Sequence, residues 1–218
     1  MSAAATKGGV GKTTLIANVS AVLADIGLRV LMIDCDVQPS LSKYYPISHR
    51  APNGIVELLL GENTEEIIRS TISNTVFPNL DIVISNNITG TQELLKRLQK
   101  GEAMRIPMPQ LRAIIYAQDR TNDAKFIASS IKDFFSNTLD DRRKLLSVAV
   151  PAAKAYKEAT TLRVPVHCHE RKQLGKMLPA YEIMHRIVYE IFPGIEQKNL
   201  RGSCFNDMAS LLQKEVQS

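Results

Sequence analysis

The fold follows from a short stretch near the N-terminus that reads Lys7-Gly8-Gly9-Val10-Gly11-Lys12-Thr13-Thr14. Its three glycines permit a tight backbone turn that aims several N–H groups at one point, as a phosphate-binding loop requires. Lys12 is spaced to reach the outer phosphates of a nucleotide, and the Thr13 hydroxyl to ligate Mg²⁺. An apolar run without a helix breaker follows over residues 14–24. The loop is therefore predicted to lie at a helix N-terminus, where anions are favoured.

The loop departs from the general phosphate-loop pattern at one position. Thr6 stands five residues before Gly11, where the pattern has its first glycine, and a second lysine, Lys7, precedes the glycine pair. The alternative interpretation is a flexible Gly/Lys linker. Linkers rarely carry Gly, Lys and Thr at these offsets and then continue into an apolar helix, so the phosphate loop is favoured.

A βαβ unit is predicted to continue from the loop. Gly27 is typical of a helix end, and residues 29–33 form an apolar run typical of a buried parallel strand. Asp34 and Asp36 follow that strand, with Gln38 close behind. Ligands in such sheets bind at the carboxyl ends of strands, so both carboxylates are expected at the same edge as the loop. An ordinary turn containing Asp is the alternative.

Length and composition limit the class of protein. The 218 residues suit one α/β domain, and neither an apolar run of about 18 residues nor a secretory pattern is present. The three scattered cysteines indicate reduced thiols in a cytoplasmic protein. Residues 1–104 carry nine Lys and Arg against ten Asp and Glu, and residues 105–218 carry 18 against 12. The basic second half is compatible with DNA contact without requiring it.

With its extra lysine, the loop resembles the deviant Walker A motif of the ParA/MinD ATPases. Residues 33–38, Ile-Asp-Cys-Asp-Val-Gln, resemble that family's second motif, and residues 38–46 resemble a ParA subgroup found on integrating conjugative elements. The resemblance implies an α/β, P-loop NTPase-like fold with a mostly parallel sheet flanked by helices. It implies a single domain over 1–218, with an N-terminal half (1–100), a C-terminal half (111–195) and a tail (196–218).

One family element is missing from the sequence. A Walker B strand, an apolar run that ends in Asp, is expected soon after the helix predicted over 91–100. Residues 101–110 instead form a short loop with two prolines, and the next apolar run, 111–116, resembles a later strand of the family. We expect an internal deletion near residues 101–108 that removes one or two central βα units. The alternative is a divergent member that has rebuilt the site.

The resemblance implies an ATP hydrolase with ATP and Mg²⁺ as cofactors. Catalytic roles are implied for Lys7, which in the family reaches the partner subunit's nucleotide, for Lys12, and for Asp36, which positions the attacking water. Thr13 and, through water, Asp34 are the implied Mg²⁺ ligands. The implied nucleotide contacts are Lys7, Gly8, Gly9, Val10, Gly11, Lys12, Thr13, Thr14 and, in a proline-bearing loop, Pro151.

The implied function is ATP-driven partition, segregation or maintenance of chromosomal, plasmid or mobile-element DNA. The resemblance also implies a nucleotide-dependent homodimer in the cytoplasm, at the nucleoid. This dimer would bind DNA nonspecifically and act with a ParB-like partner. The candidate DNA contacts are Lys154, Lys157, Arg163, Arg171 and Lys172. A hydrolysis-deficient binding module and a MinD-like regulator are the alternatives. Membrane binding is disfavoured because the last predicted helix, 206–216, has only one cation, Lys214.

The run His167-Cys168-His169 offers adjacent metal ligands, but these supply only part of a zinc site and no second cluster lies nearby. We therefore expect these residues to lie in an exposed loop.

The hydrophobic pattern predicts four further elements. Two are strands, over 79–86 and 144–150, and two are helices, over 122–135 and 181–191.

Overall fold

The computed structural model describes residues 11–36, 38–60, 64–86, 111–116, 121–136, 143–170, 178–195 and 205. The helices in this part of the chain are α1 (Lys12–Asp25), α2 (Ile55–Leu60), α3 (Glu65–Ser70), α4 (Asn122–Ser136), α5 (Lys154–Thr161), α6 (Val166–His169) and α7 (Ala180–Ile191). The strands are β1 (Val30–Ile33), β2 (Ile47–His49), β3 (Ile72–Thr75), β4 (Leu80–Val83), β5 (Leu111–Ala113) and β6 (Arg143–Leu145). The strand that the predicted βαβ unit requires before the loop lies outside the described residues, and so do the helices predicted over 91–100 and 206–216.

Helix α1 has a glycine at each end. Gly11 is the N-cap residue with φ 83°, and Gly27, just beyond the C-cap residue, has φ 96°. This left-handed conformation costs an L-residue with a side chain about 1–2 kcal/mol. The two glycines therefore set where the helix begins and ends, as the sequence predicts.

The first sheet has the strand order β1-β4-β3-β2. β1 and β4 are parallel, with Val30 opposite Leu80 and Ile33 opposite Val83, whereas β3 is antiparallel to both β4 and β2. The predicted α/β fold, with helices flanking a sheet that contains parallel strands, is confirmed. The first sheet is mixed and not mostly parallel as predicted, because two of its three strand pairings are antiparallel. The antiparallel hairpin of β3 and β4 is not among the predicted elements. Only residues 76–79 join these strands, and a parallel crossover needs a dozen or more residues.

A second sheet contains the parallel strands β5 and β6, with Leu111 opposite Arg143. Both strands are shorter than predicted, because regular pairing ends after three residues. The two segments nevertheless stay adjacent, since the Leu146 N–H donates to the Ala113 carbonyl and the Val150 N–H to the Ile115 carbonyl. The second half therefore has its own strand pair, separate from the first sheet in the described part of the chain.

Helix α1 lies between the two main apolar clusters. One side of the helix, at Ala17, Ala21 and Ala24, packs against the first sheet at residues such as Met32 and Ile82. The opposite side packs against α5, α6 and α7. That second cluster includes Val19, Val22, Tyr156, Ala159, Val166, Ile183, Met184, Ile187 and Val188. The helix that follows the loop is thus the element on which both halves are assembled.

Strand β1 is more exposed than a central parallel strand normally is. Leu31 is 44% exposed and Ile33 46% exposed, although parallel strands in such folds are usually buried on both faces. Among the described residues β1 pairs only with β4. This exposure agrees with the deletion of a central unit, which stays a prediction. In the same described part of the chain, no helix is long and apolar enough to cross a membrane.

Candidate functional site

The head of α1 combines features that favour an anion. Lys12 and Thr13 open the helix directly after the left-handed Gly11, and the first turn carries no acidic residue. Gly11 has no side chain with which to cap the first-turn N–H groups, which lie at the positive end of the helix dipole. This end of α1 therefore suits a phosphate group. Lys7, Gly8, Gly9 and Val10 lie outside the described residues.

Tyr116 packs against the loop at Gly11. A Cβ added at Gly11 would lie 2.2 Å from Cε1 of the Tyr116 ring, closer than any real contact. Burial raises the pKa of Tyr116 to about 12, and the Thr14 side chain partly offsets this rise. Sequence reasoning missed this residue. Its only signal is its position at the end of the apolar run 111–116, where side chains approach a ligand-binding edge.

A buried hydrogen-bond network fixes the first two turns of α1. The Asn18 amide donates to the Thr14 carbonyl at 2.8 Å and to the Tyr44 hydroxyl at 3.0 Å. Its side-chain oxygen accepts from the Val166 N–H at 2.8 Å, and the Tyr44 hydroxyl is also hydrogen-bonded to Thr160. Asn18 is buried, so these bonds are made away from water. The network connects the loop end of α1 to the segment after β1 and to α5 and α6.

The two predicted carboxylates differ in their surroundings. Asp34 is buried directly after β1, and its Oδ2 accepts from both the N–H and the hydroxyl of Ser42, at 2.8 and 2.7 Å. Its Oδ1 accepts from the Asp36 N–H at 3.2 Å. Asp36 is exposed, and its Oδ1 accepts from the Gln38 N–H at 3.0 Å. Asp34 thus holds the loop after β1 in shape, while Asp36 faces solvent.

Pro151 lies beside the segment that carries Tyr116. The preceding residue, Val150, donates its N–H to the Ile115 carbonyl at 2.9 Å. The rings of Tyr116 and Tyr156 then meet edge to face, with centroids 6.4 Å apart. The proline loop of the second half is therefore close to the residue that packs on Gly11.

Three of the candidate DNA contacts lie among the described residues, and two of them already bind other groups of the chain. Lys154 on α5 forms an exposed ion pair with Glu158, at 2.6 Å, which raises the pKa of Lys154. Arg163, with φ 55°, donates from Nη2 to the Tyr45 carbonyl at 2.8 Å. Lys157 is exposed on the same helix. Arg171 and Lys172 lie outside the described residues.

The expectation of an exposed loop at residues 167–169 is wrong. These residues belong to helix α6, and His167 is completely buried, with its Nε2 3.2 Å from Oδ2 of Asp25 in α1. Cys168 is half-buried, and Nε2 of His169 lies 3.5 Å from Oε2 of Glu158. Local sequence patterns do not predict this arrangement, because the partner of His167 is 142 residues away.

Comparisons with known proteins agree with this geometry. The profile of the AAA domain family matches residues 1–120, which is more than half of the chain. The chain is similar to the chromosome-partitioning ATPase Soj of Thermus thermophilus, with 44% identity over 62 residues, 28% of this chain and 24% of Soj. It is also similar to a putative replication protein A of Sinorhizobium fredii, with 40% identity over 83 residues, 37% of this chain and 20% of that protein. The matched stretches thus span a quarter or less of these relatives.

Two solved structures share the fold. The septum site-determining protein MinD of Pyrococcus horikoshii, in complex with Mg-ADP, has a TM-score of 0.52 at 18% identity, covering 85% of this chain and 92% of MinD. MinD of Pyrococcus furiosus, a cell division ATPase, has a TM-score of 0.53 at 19% identity, covering 85% and 94%. The fold and the loop together define the class of P-loop ATPases. The chain belongs to the AAA domain family and, with it, to the ParA/MinD ATPases.

Proposed function

We propose that this chain is an ATP-binding partition ATPase of the ParA type that acts in the segregation or maintenance of DNA. The observation that carries the proposal is the head of α1. There the left-handed Gly11 leads into a helix whose first turn has Lys12 and Thr13 and no acidic residue. A binding site for a nucleotide's phosphates requires that combination of backbone N–H groups, positive dipole and lysine.

The residues present fit ATP with Mg²⁺. The nucleotide's phosphates would be held by Lys7, Gly8, Gly9, Val10, Gly11, Lys12, Thr13 and Thr14, and its base approached by Pro151. Mg²⁺ prefers oxygen ligands and keeps several of its waters, so Thr13 would ligate it directly and Asp34 through water. Both oxygens of Asp34 already accept hydrogen bonds within the chain, which supports contact through water.

The proposed reaction is in-line attack of water on the γ-phosphate of ATP. Lys12 and Lys7 would neutralise the charge that develops on the phosphate oxygens, and Lys7 would do so in the nucleotide site of a second copy of the chain. Asp36 would orient the water, a role that its exposed carboxylate supports. Mg²⁺ would supply additional charge neutralisation at the phosphates.

The proposed partners are nonspecific DNA, a ParB-like protein and a second copy of the chain bound through nucleotide. Soj, to which the N-terminal part is similar, is a chromosome-partitioning ATPase, and this supports the assignment. On the DNA-binding surface we propose Lys157, together with Lys154, Arg163, Arg171 and Lys172. Because such contacts release counterions, DNA binding is expected to weaken strongly as salt rises. The proposed location is the cytoplasm, at the nucleoid.

A second candidate function is nucleotide-dependent binding without turnover. It is favoured by the exposure of Leu31 and Ile33 on β1, where a central strand would otherwise be covered. In that case the chain binds ATP through Lys12 but lacks the carboxylate that a Walker B strand supplies. Tight ATP binding without phosphate release would identify this function.

The test of the loop assignment uses two lysine variants and one control. Lys12→Ala should abolish ATP binding measured by calorimetry, because its ammonium is the main charge on the outer phosphates. Lys7→Ala should leave binding by the monomer intact and impair ATP-dependent dimerisation measured by analytical ultracentrifugation. Lys132→Ala, exposed on α4, should change neither. Unchanged ATP affinity in Lys12→Ala would refute the loop, and normal dimers in Lys7→Ala would refute the role of Lys7 across the interface.

A further inference from the structure

We propose that Asp25, His167 and Cys168 form a binding site for one divalent transition-metal ion of the zinc class. The site lies outside the proposed nucleotide site and goes beyond the proposed function. It joins the last residue of α1 to the short helix α6. Carboxylate, imidazole and thiolate are three of the ligand types that zinc binds in proteins.

The spacing of the donor atoms fits such an ion. The ligand atoms of Asp25, His167 and Cys168 all lie within 4.8 Å of one another. Zinc–ligand distances of about 2.0–2.3 Å separate the donors of a tetrahedral site by about 3.3–3.7 Å. Oδ2 of Asp25 and Nε2 of His167 are 3.2 Å apart, which is about 0.1 Å below this range. The thiol of Cys168 therefore needs a shift of no more than about 1 Å, within reach of a change in χ1.

The burial of the proposed ligands and their summed charge also fit a divalent ion. Asp25 is 1% exposed and His167 is completely buried. A buried carboxylate loses much of its hydration and needs a compensating charge or several hydrogen bonds. One carboxylate, one thiolate and one neutral imidazole together carry two negative charges, which a divalent cation balances. The bound site would be electrically neutral, as a buried site should be.

Neighbouring groups support the ligands. Oδ1 of Asp25 accepts from the Phe205 N–H at 3.0 Å, which orients the carboxylate so that Oδ2 faces His167. Such outer hydrogen bonds are typical of metal-ligating carboxylates. The ion would therefore also stabilise the contact between α1 and the chain at Phe205.

Tyr45 supplies a further polar group at this position. Its ring is buried, and within the described part of the chain its hydroxyl has no hydrogen-bond partner. Tyr45 belongs to the buried apolar cluster against which Cys168 packs. A buried hydroxyl without a partner is unfavourable by about 1–3 kcal/mol. A metal ion, or a water bound to it, would provide the missing partner.

The direct test is a cobalt titration of the full chain purified in chelator and then freed of it. Co²⁺ replaces zinc and gives a near-ultraviolet charge-transfer band only when a thiolate is bound. The three cysteines are compared through the single variants Cys35→Ser, Cys168→Ser and Cys204→Ser. Cys35 is the matched control, because it is an exposed free cysteine that lies outside the cluster of Asp25, His167 and Cys168.

The expected result is one equivalent of Co²⁺ with a thiolate band in the unmodified chain and in Cys35→Ser, and loss of that band in Cys168→Ser. Circular dichroism checks that Cys168→Ser is folded. No binding by the unmodified chain, a cobalt spectrum without the thiolate band, or a band that survives in Cys168→Ser would each overturn the proposal.

A stability measurement gives an independent readout in the unmodified chain. Zinc at a hundredfold excess over its Kd should raise the melting temperature by about 5–10 °C. Asp25→Asn should reduce this shift, because the amide oxygen carries no charge. An unchanged melting temperature with and without zinc would contradict the site even if every variant failed to fold.

Discussion

Replacing Gly11 with alanine tests how the loop and the second half of the chain fit together. A Cβ at this position would lie 2.2–2.6 Å from three atoms of the Tyr116 ring, about 1 Å or more inside normal contact. Gly11 also has φ 83°, which an alanine adopts only at a cost of about 1–2 kcal/mol. Displacing the packed ring adds about 1–3 kcal/mol, the usual cost of overpacking. The free energy of unfolding should therefore fall by about 2–5 kcal/mol.

Gly27 provides the matched control. It has φ 96°, but a Cβ there would meet nothing within 4 Å. Gly27→Ala should therefore show only the backbone cost of about 1–2 kcal/mol. Urea unfolding followed by circular dichroism measures both variants, and the difference between them isolates the contact with Tyr116. The double variant Gly11→Ala/Tyr116→Ala has no ring for the new Cβ to displace. Its loss of stability should therefore be smaller than the sum of the two single losses, and the difference measures the steric cost.

Equal destabilisation by Gly11→Ala and Gly27→Ala would show that the Tyr116 ring does not obstruct a Cβ at Gly11. Additive effects of the two substitutions in the double variant would show the same. ATP affinity should fall in Gly11→Ala and stay unchanged in Gly27→Ala, since only the first alters the head of α1.

Two further predictions concern groups around the same helix. Asn18→Ala should destabilise the fold by about 2–4 kcal/mol in urea unfolding, because the buried Val166 N–H loses its acceptor and the Tyr44 hydroxyl a donor; a loss below about 1 kcal/mol would contradict the network. Burial raises the pKa of Tyr116 to about 12, above the usual 10 of an unfolded chain, so stability should be complete below pH 10 and fall as pH rises from 10 to 12. In Tyr116→Phe, the free energy of unfolding should fall less steeply between pH 10 and 12. An identical slope would refute the raised pKa of Tyr116.

Local sequence patterns were sufficient to predict the helix and the strand that follow the phosphate loop. Gly11 and Gly27 have the left-handed conformations that end α1, and the apolar run before Asp34 is strand β1. These features depend on residues close together in the chain, where glycine, hydrophobic periodicity and length act directly. The same holds for α7, which agrees with the helix predicted over 181–191 and whose apolar residues, Ile183 among them, are buried.

Long-range side-chain contacts could not be predicted in this way. Tyr116 packs on Gly11 from a segment about a hundred residues away, and the partners of His167 and Asn18 are 142 and 148 residues distant. No periodicity or spacing encodes which side chain meets which across such separations. The antiparallel pairing of β3 was missed for another reason, since its polar residues lack the apolar run typical of a strand.

The most direct test of the central claim is ATP turnover by the purified chain, with and without duplex DNA, beside Lys12→Ala and the control Lys132→Ala. We predict turnover that DNA stimulates, that Lys132→Ala preserves and that Lys12→Ala abolishes. ATP binding without turnover would identify the binding module that lacks a Walker B carboxylate. Turnover that persists in Lys12→Ala, or a folded chain that neither binds nor hydrolyses ATP, would contradict the assignment of the loop at the head of α1.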